Sequence, residues 1–292
     1  MIETHGLVKR YGATTALDGV DLRVPTGSVY GLVGPNGAGK TTLLGILAGL
    51  RTQSAGSLQI GFDRSQIAVL PDTPQFDSGL TGREVVDLAR MLTDESVPGD
   101  RVDEVLAVAG LADDANRRVG GFSRGMLQRL GVAATVVAQP RLLILDEPSA
   151  ALDPLGRREV LDLVNRLRGE ATVLFSSHIL GDVQEVCDTV GILRRGKLLY
   201  QGPIDELLVG TATPSYVVRI RPPVQPAVEV LEINEWVTGI EVTSADELLI
   251  SVNSVEDAER HLTEALAGLG MRVVSFGPVA ATLEDVYLEL TS

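Results

Sequence analysis

The stretch Gly34-Pro35-Asn36-Gly37-Ala38-Gly39-Lys40-Thr41-Thr42 constrains this chain more than any other. Before it runs Val29-Tyr30-Gly31-Leu32-Val33 and after it Leu43-Leu44-Gly45-Ile46-Leu47-Ala48, an apolar strand pattern and a buried helix pattern. Gly34, Gly37 and Gly39 let successive backbone N–H groups, those of Asn36 and its neighbours among them, turn inward on an anion with no Cβ in the way. The helix that follows offers the positive end of its dipole to the same anion. Lys40 adds a point charge for β and γ phosphates, and the Thr41 hydroxyl is placed to ligate magnesium, with Thr42 beside it. Strand, glycine-rich turn and helix in this order predict an α/β domain that cradles a nucleoside triphosphate.

A second apolar run, Leu142-Leu143-Ile144-Leu145-Asp146-Glu147-Pro148, ends in two carboxylates. Continuous apolar runs of this length suit buried parallel strands, whose functional groups emerge at the carboxyl end. An Asp there can hold magnesium through its water shell, and the Glu directly after it can polarise a water for attack on a γ-phosphate. Thr172-Val173-Leu174-Phe175-Ser176 repeats the strand pattern, with Ser177-His178 just beyond it. His178 by itself reads more often as an ordinary loop histidine, but its position at a strand end, after the phosphate loop and the Asp-Glu pair, makes it a candidate contact for the γ-phosphate or the attacking water. Tyr11, after the strand Ile2–Lys9, either stacks on an adenine face or covers a strand edge.

Between the two sets of strands lies a helical block. Thr81-Gly82-Arg83-Glu84 fits a capping box, Asp100-Arg101-Val102-Asp103 opens another helix, and a third starts near Ser123 and runs to Val137. Val20–Val24 is expected to be a strand by its alternation. Past Val209-Gly210-Thr211-Ala212-Thr213-Pro214 the composition changes, and the order becomes strand, helix, strand, strand, helix, strand and a closing helix at Leu283–Leu290. That order predicts a small ferredoxin-like α+β domain at 214–292, after an α/β domain at 1–210 with its helical part at about 72–138. Trp236 and His261 within it read as a core or interface aromatic and a helix-surface residue.

Charge and composition exclude several classes. At 292 residues and 45% apolar content the chain can build two cores. A net charge of −14 argues against a nucleic-acid partner, because counterion release needs a basic surface. No apolar run approaches the roughly 18 to 20 residues of a membrane span, the N-terminus has no secretory pattern, and the single Cys187 cannot form an internal disulfide. These features point to the cytoplasm.

Gly121-Phe122-Ser123-Arg124-Gly125-Met126-Leu127-Gln128-Arg129-Leu130 resembles the signature segment of ABC ATPases, and with it residues 1–210 resemble the ATP-binding subunit of ABC transporters. The resemblance puts Walker A at Gly34–Thr41, Walker B at Leu142–Asp146, the catalytic glutamate at Glu147, the D-loop at Ala150–Asp153, the switch histidine at His178 and the adenine-stacking aromatic at Tyr11. It implies a P-loop ABC-type fold with a helical insertion, ATP and magnesium as ligands, and a homodimer closed around two ATP. Ser123 and Gly125 of one copy would then reach the γ-phosphate held by the other, with Asp153 nearby. It also implies a separate membrane-spanning permease, which would hold the protein on the inner face of the cell membrane. Arg124 and Met126 depart from the usual glycine and glutamine of the signature. Asp72 stands where the magnesium-sensing glutamine is usual, with Gln75 as the alternative. The Ser-Arg-Gly-Met variant and the tail Ala281–Leu290 look like the drug- and antibiotic-exporter branch, which implies export of a small molecule, drug or lipid-like substrate. The competing reading is a soluble ABC ATPase acting on ribosomes or DNA.

Overall fold

The computed structural model describes residues 1–150, 152–211, 214–268, 272–279 and 282–291. Ala151 of the D-loop, Ala212 and Thr213 of the expected linker, Leu269 of the long C-terminal helix and Ala281 of the tail lie outside them. The chain divides into two compact units, Met1–Asp205 and Glu206–Ser292.

The first unit opens with strands β1 (Ile2–Tyr11), β2 (Thr14–Val20), β3 (Arg23–Val24) and β4 (Val29–Val33), then helix α1 (Lys40–Leu47), β5 (Ala55–Ile60) and β6 (Ile67–Leu70). Helices α2 (Gly82–Thr93), α3 (Arg101–Val108) and α4 (Arg124–Val136) follow. The chain then runs through β7 (Leu142–Asp146), α5 (Pro154–Arg166), β8 (Thr172–Ser177), α6 (Leu180–Val186), β9 (Thr189–Arg194) and β10 (Lys197–Pro203), and α7 (Ile204–Thr211) begins at the end of this unit and continues into the second. A six-stranded sheet of order β10-β9-β4-β8-β7-β6 is parallel except for the β9–β10 hairpin. Its central strands β4, β7 and β8 are buried at every residue, as their unbroken apolar runs require. A smaller antiparallel sheet joins β2, β1 and β3, with β5 paired to β1. Leu43, Leu44, Ile46 and Leu47 of α1 fill the core between the sheets with Leu17, Val24, Leu32 and Ile144. Each such side chain contributes roughly 1.5–3 kcal/mol, so the phosphate loop is anchored by a well-buried helix.

The strand expected at Val20–Val24 breaks in two. The Thr4 hydroxyl donates to the Val20 carbonyl at 2.8 Å and accepts from the Leu22 N–H at 2.8 Å. The Thr4 backbone N–H still donates to the Leu22 carbonyl oxygen at 2.8 Å, so its hydroxyl takes over only the Val20 carbonyl and the Leu22 N–H, and the strand is interrupted between Val20 and Arg23. The capping box forms as its sequence predicts: Thr81 accepts from the Glu84 N–H at 3.2 Å, and its own N–H donates to Glu84 Oε2 at 2.7 Å.

The second unit contains β11 (Ser215–Ile220), α8 (Gln225–Leu231), β12 (Val237–Ser244), β13 (Glu247–Val252), α9 (Val255–Gly268), β14 (Val273–Val279) and α10 (Leu283–Thr291). The antiparallel sheet order β12-β13-β11-β14 is the ferredoxin-like arrangement expected from the element order. Val218, Ile220, Leu248 and Ile250 meet Leu231, Leu262 and Leu266 in its core. Trp236 and His261 stack on one another with centroids 6.0 Å apart.

Candidate nucleotide site

Parallel pairing brings the predicted functional residues to one end of the large sheet. Val33 of β4 is in register with Ser177 of β8, and Asp146 of β7 with Ser176. Gly34, Glu147 and His178 each follow the last residue of one of these strands, so they converge where ligands sit in open parallel sheets. The loop between β4 and α1 can take its path only with glycine at two points. A Cβ on Gly34 would lie 2.2 Å from the Leu193 carbonyl oxygen, and Gly39 holds φ +110° with a Cβ position 2.6 Å from the Ala16 carbonyl oxygen. Gly39 is also the N-cap of α1, so no capping side chain engages the first amides of that helix. These amides face a cavity of about 270 Å³ lined by Asn36 to Thr42 together with Asp72 and Glu147.

Lys40 is 6% exposed and crosses this cradle. Its Nζ donates to the Gly34 carbonyl oxygen at 2.6 Å and lies 3.0 Å from Glu147 Oε1. The other carboxylate oxygen, Oε2, lies 2.7 Å from His178 Nδ1 and accepts the His178 backbone N–H at 3.3 Å. Glu147 therefore bridges the phosphate-loop lysine and the histidine after β8. Its backbone has φ +51°, a conformation costing about 1–3 kcal/mol for a residue with a side chain. Ser176 holds it there: the Glu147 N–H donates to Ser176 Oγ at 2.9 Å, and that hydroxyl donates to Asp146 Oδ1 at 2.6 Å. The role of Ser176 was not read from the sequence. Its signal is the hydroxyl pair ending an otherwise apolar strand.

Tyr11 is the last residue of β1 and is 45% exposed. Its hydroxyl accepts from Arg51 Nη1 at 3.0 Å, while the Lys9 ammonium lies 4.9 Å from the ring centroid. Desolvation opposes ionisation of the hydroxyl, but Arg51, Thr42 and Lys9 together outweigh it and hold its pKa below the usual tyrosine value. Tyr11 does not line the phosphate cavity; it borders a neighbouring one with Lys9, Arg51 and Thr52.

Ser123, Gly125 and Asp153 form a separate group, and none of them lines the cradle. Ser123 caps α4 by accepting the Met126 N–H at 3.2 Å, and Asp153 caps α5 by accepting the Gly156 N–H at 3.1 Å. The two helix starts adjoin, since a Cβ on Gly125 would lie 3.9 Å from Gly156 Cα. Asp72 does reach the cradle lining, and Gln75 does not. The buried Gln128 of α4 fixes the Asp72 segment by donating to its carbonyl oxygen at 2.8 Å. Uncapped helix amides, a buried ammonium and a cavity of this size suit a triphosphate. The hard oxygen donors of Thr41 and Asp72 at its wall suit magnesium.

Cradle, carboxylate pair and parallel sheet define a P-loop nucleoside triphosphatase. The ABC transporter family model matches residues 17–150. An uncharacterized ABC transporter ATP-binding protein, YxlF of Bacillus subtilis, is 35% identical over 99% of both chains. The daunorubicin resistance ATP-binding protein DrrA3 of Streptomyces coeruleorubidus is 35% identical over 99% of this chain and 95% of its own. Among solved structures, the dimeric post-hydrolysis ATP-binding cassette MJ0796, bound to ADP and Pi, shares the fold at TM-score 0.63 and 22% identity, over 70% of this chain and 99% of that one. The chain belongs to the ATP-binding subunits of ABC transporters, and it is an ATP-hydrolysing enzyme. Among the described residues no helix is long and apolar enough to cross a membrane.

Proposed function

We propose that this subunit powers the export of a small molecule, drug or lipid-like substrate through a separate membrane permease, working as a homodimer that closes around two ATP. The domain assignment we attach to it is an ATP-binding domain at 1–210, with a helical part at about 72–138, and an accessory domain at 214–292. The exporter branch rests on the variant Ser123-Arg124-Gly125-Met126 and on full-length similarity to a relative named for daunorubicin resistance. Docking on the permease would hold the protein at the inner face of the membrane.

One observation carries the dimer. Ser123 and Gly125, a hydroxyl and a helix start suited to an anion, lie outside the cavity built around Lys40. Their phosphate is therefore supplied by a second copy, whose Ser123 and Gly125 serve this one in return.

In this reading Tyr11 stacks on the adenine, and the amides of Gly37 to Thr42 with Lys40 hold the phosphates. Glu147 orients and polarises the attacking water, taking its proton as the oxygen bonds to the γ-phosphorus and the bond to the bridging oxygen breaks. His178, held on Glu147 Oε2, contacts the γ-phosphate. Thr41, Asp146 and Asp72 would hold magnesium, which neutralises charge on the β and γ oxygens. The products are ADP and inorganic phosphate, and loss of the shared γ-phosphate opens the dimer.

The test is size-exclusion chromatography with saturating ATP and magnesium. Glu147→Gln is expected to elute as a dimer and Lys40→Ala as a monomer. A Glu147→Gln protein that stays monomeric refutes the closed dimer.

A further inference from the structure

The turn after β7 and the turn into α6 meet at the Glu147–His178 contact, and they are joined a second time deeper in the protein. Ser149 Oγ donates to Asp182 Oδ2 at 2.5 Å, and the two residues are 1% and 0% exposed. Arg157, near the start of α5, donates through Nε to the other oxygen, Oδ1. Ser149 follows Glu147 in the same turn, and Asp182 lies one helical turn beyond His178. The buried bond therefore spans the same gap as the functional one.

A carboxylate without solvent contact costs several kcal/mol to desolvate, and well-packed apolar side chains would stabilise the same junction as well or better. Glu147 already sits in a strained backbone conformation, so the aim of its carboxylate depends on how the following turn is held. Within that turn the Ala150 N–H donates to the Glu147 carbonyl oxygen at 3.0 Å, a bond that shapes the turn without tying it to α6. Ser149 supplies that tie, and Arg157 saturates the far side of Asp182 so that its free oxygen points at Ser149.

We propose that Ser149, Asp182 and Arg157 form a clamp that sets the distance between Glu147 and His178, which makes Ser149 and Asp182 positioning residues for ATP hydrolysis. The clamp rests on the catalytic reading of Glu147 and His178 given above. It contributes to the rate and not to nucleotide binding, because Ser149, Asp182 and Arg157 do not line the phosphate cavity.

The experiment measures phosphate release against ATP concentration for the full chain and for Ser149→Ala, Ser149→Thr, Asp182→Asn and Glu147→Gln, with melting temperature and nucleotide Kd alongside. Displacement of a catalytic group by about 1 Å costs on the order of a hundredfold, so Ser149→Ala should lose about ten- to a hundredfold in kcat with KM within about twofold. Ser149→Thr keeps the hydroxyl and should recover most of the rate. Asp182→Asn keeps the volume, gives up the charge that holds Arg157, and should lower kcat at unchanged KM. If Ser149→Ala does not fold, Asp182→Asn and Ser149→Thr carry the comparison. The proposal is overturned if both Ser149→Ala and Asp182→Asn hydrolyse at the wild-type rate, if KM rises in step with the loss of kcat, or if both variants simply unfold. A Glu147→Gln protein that turns over normally sinks the catalytic reading instead. An inactive Glu147→Gln beside a fully active Ser149→Ala sinks the clamp alone.

Discussion

Replacing Glu147 by glutamine should separate two effects that its carboxylate has on the site. The carboxylate holds Lys40 at 3.0 Å and His178 at 2.7 Å, so it competes with phosphate for the lysine while also serving as the candidate base. At an effective dielectric of about 20, the gross attraction across the Lys40 contact is roughly 5 kcal/mol. Most of that is offset by desolvation of two groups that are 6% and 13% exposed. A net release of about 1–2 kcal/mol is the reasonable residue, and it corresponds to ATP binding about five- to thirtyfold tighter. Glutamine keeps the shape and an oxygen for His178 but cannot take a proton, so hydrolysis should fall by about 10²–10⁴, or about 2.7–5.4 kcal/mol of barrier. Calorimetric titration with ATP and magnesium gives the first number and phosphate release the second. Weaker ATP binding than wild type would refute the competition for Lys40, and turnover within tenfold of wild type would refute the base.

Gly39→Ala places a Cβ 2.6 Å from the Ala16 carbonyl oxygen at φ +110°, whereas Gly37→Ala at φ +81° meets nothing within 4 Å. Both should destabilise, by about 1–3 kcal/mol for the backbone conformation alone, and Gly39→Ala should show the larger drop in melting temperature with loss of ATP binding. Tyr11→Ala should weaken ATP binding by about 1–3 kcal/mol if an adenine stacks there, and Tyr11→Phe should not; equal Kd values for all three proteins would contradict the stack. The Glu84 carboxyl is held below the usual glutamate range by the backbone N–H of Thr81 and then by its hydroxyl. A depressed folded-state pKa gives stability that is present above the unfolded value and is lost as pH falls through the folded one. Wild type and Glu84→Gln should therefore converge in melting temperature in acid, and a gap that persists or widens would refute the cap.

The parts of the fold that were legible in the sequence are those with one-dimensional causes. The runs Val29–Val33 and Leu142–Asp146 suit buried parallel strands by their unbroken apolar character, and in the fold every residue of both is buried. The Thr81–Glu84 cap and the glycines of the phosphate loop carry their geometry in residue types alone. What escaped depends on partners distant in the chain. Thr4 breaks the strand at Asp21 and Leu22 from 18 residues away, and nothing in the local alternation marks that break. Ser176 reads as one more strand residue until the register with Asp146 sets its hydroxyl between the two carboxylate-bearing residues. Asp182 reads as an ordinary acidic residue in the first turn of a helix, yet in the fold it is fully buried between Ser149 and Arg157.

A similar difference separates the two parts of the proposed catalytic site. The cradle is local, since one loop and one helix supply Gly34 to Thr42, and its chemistry follows from the spacing. The group at Ser123, Gly125 and Asp153 is assembled from two helix starts that adjoin only in the folded protein. Each start is capped by its own side chain, so neither needs a ligand to be stable. Stability without a ligand is what a surface needs if it is to wait for the phosphate of another copy. The cradle differs, because its lysine is held by Glu147 and the nucleotide must displace that contact. Ser123→Ala should therefore leave ATP binding to the single subunit unchanged and weaken dimer closure, whereas Lys40→Ala should lower both, because closure needs the nucleotide that Lys40 holds.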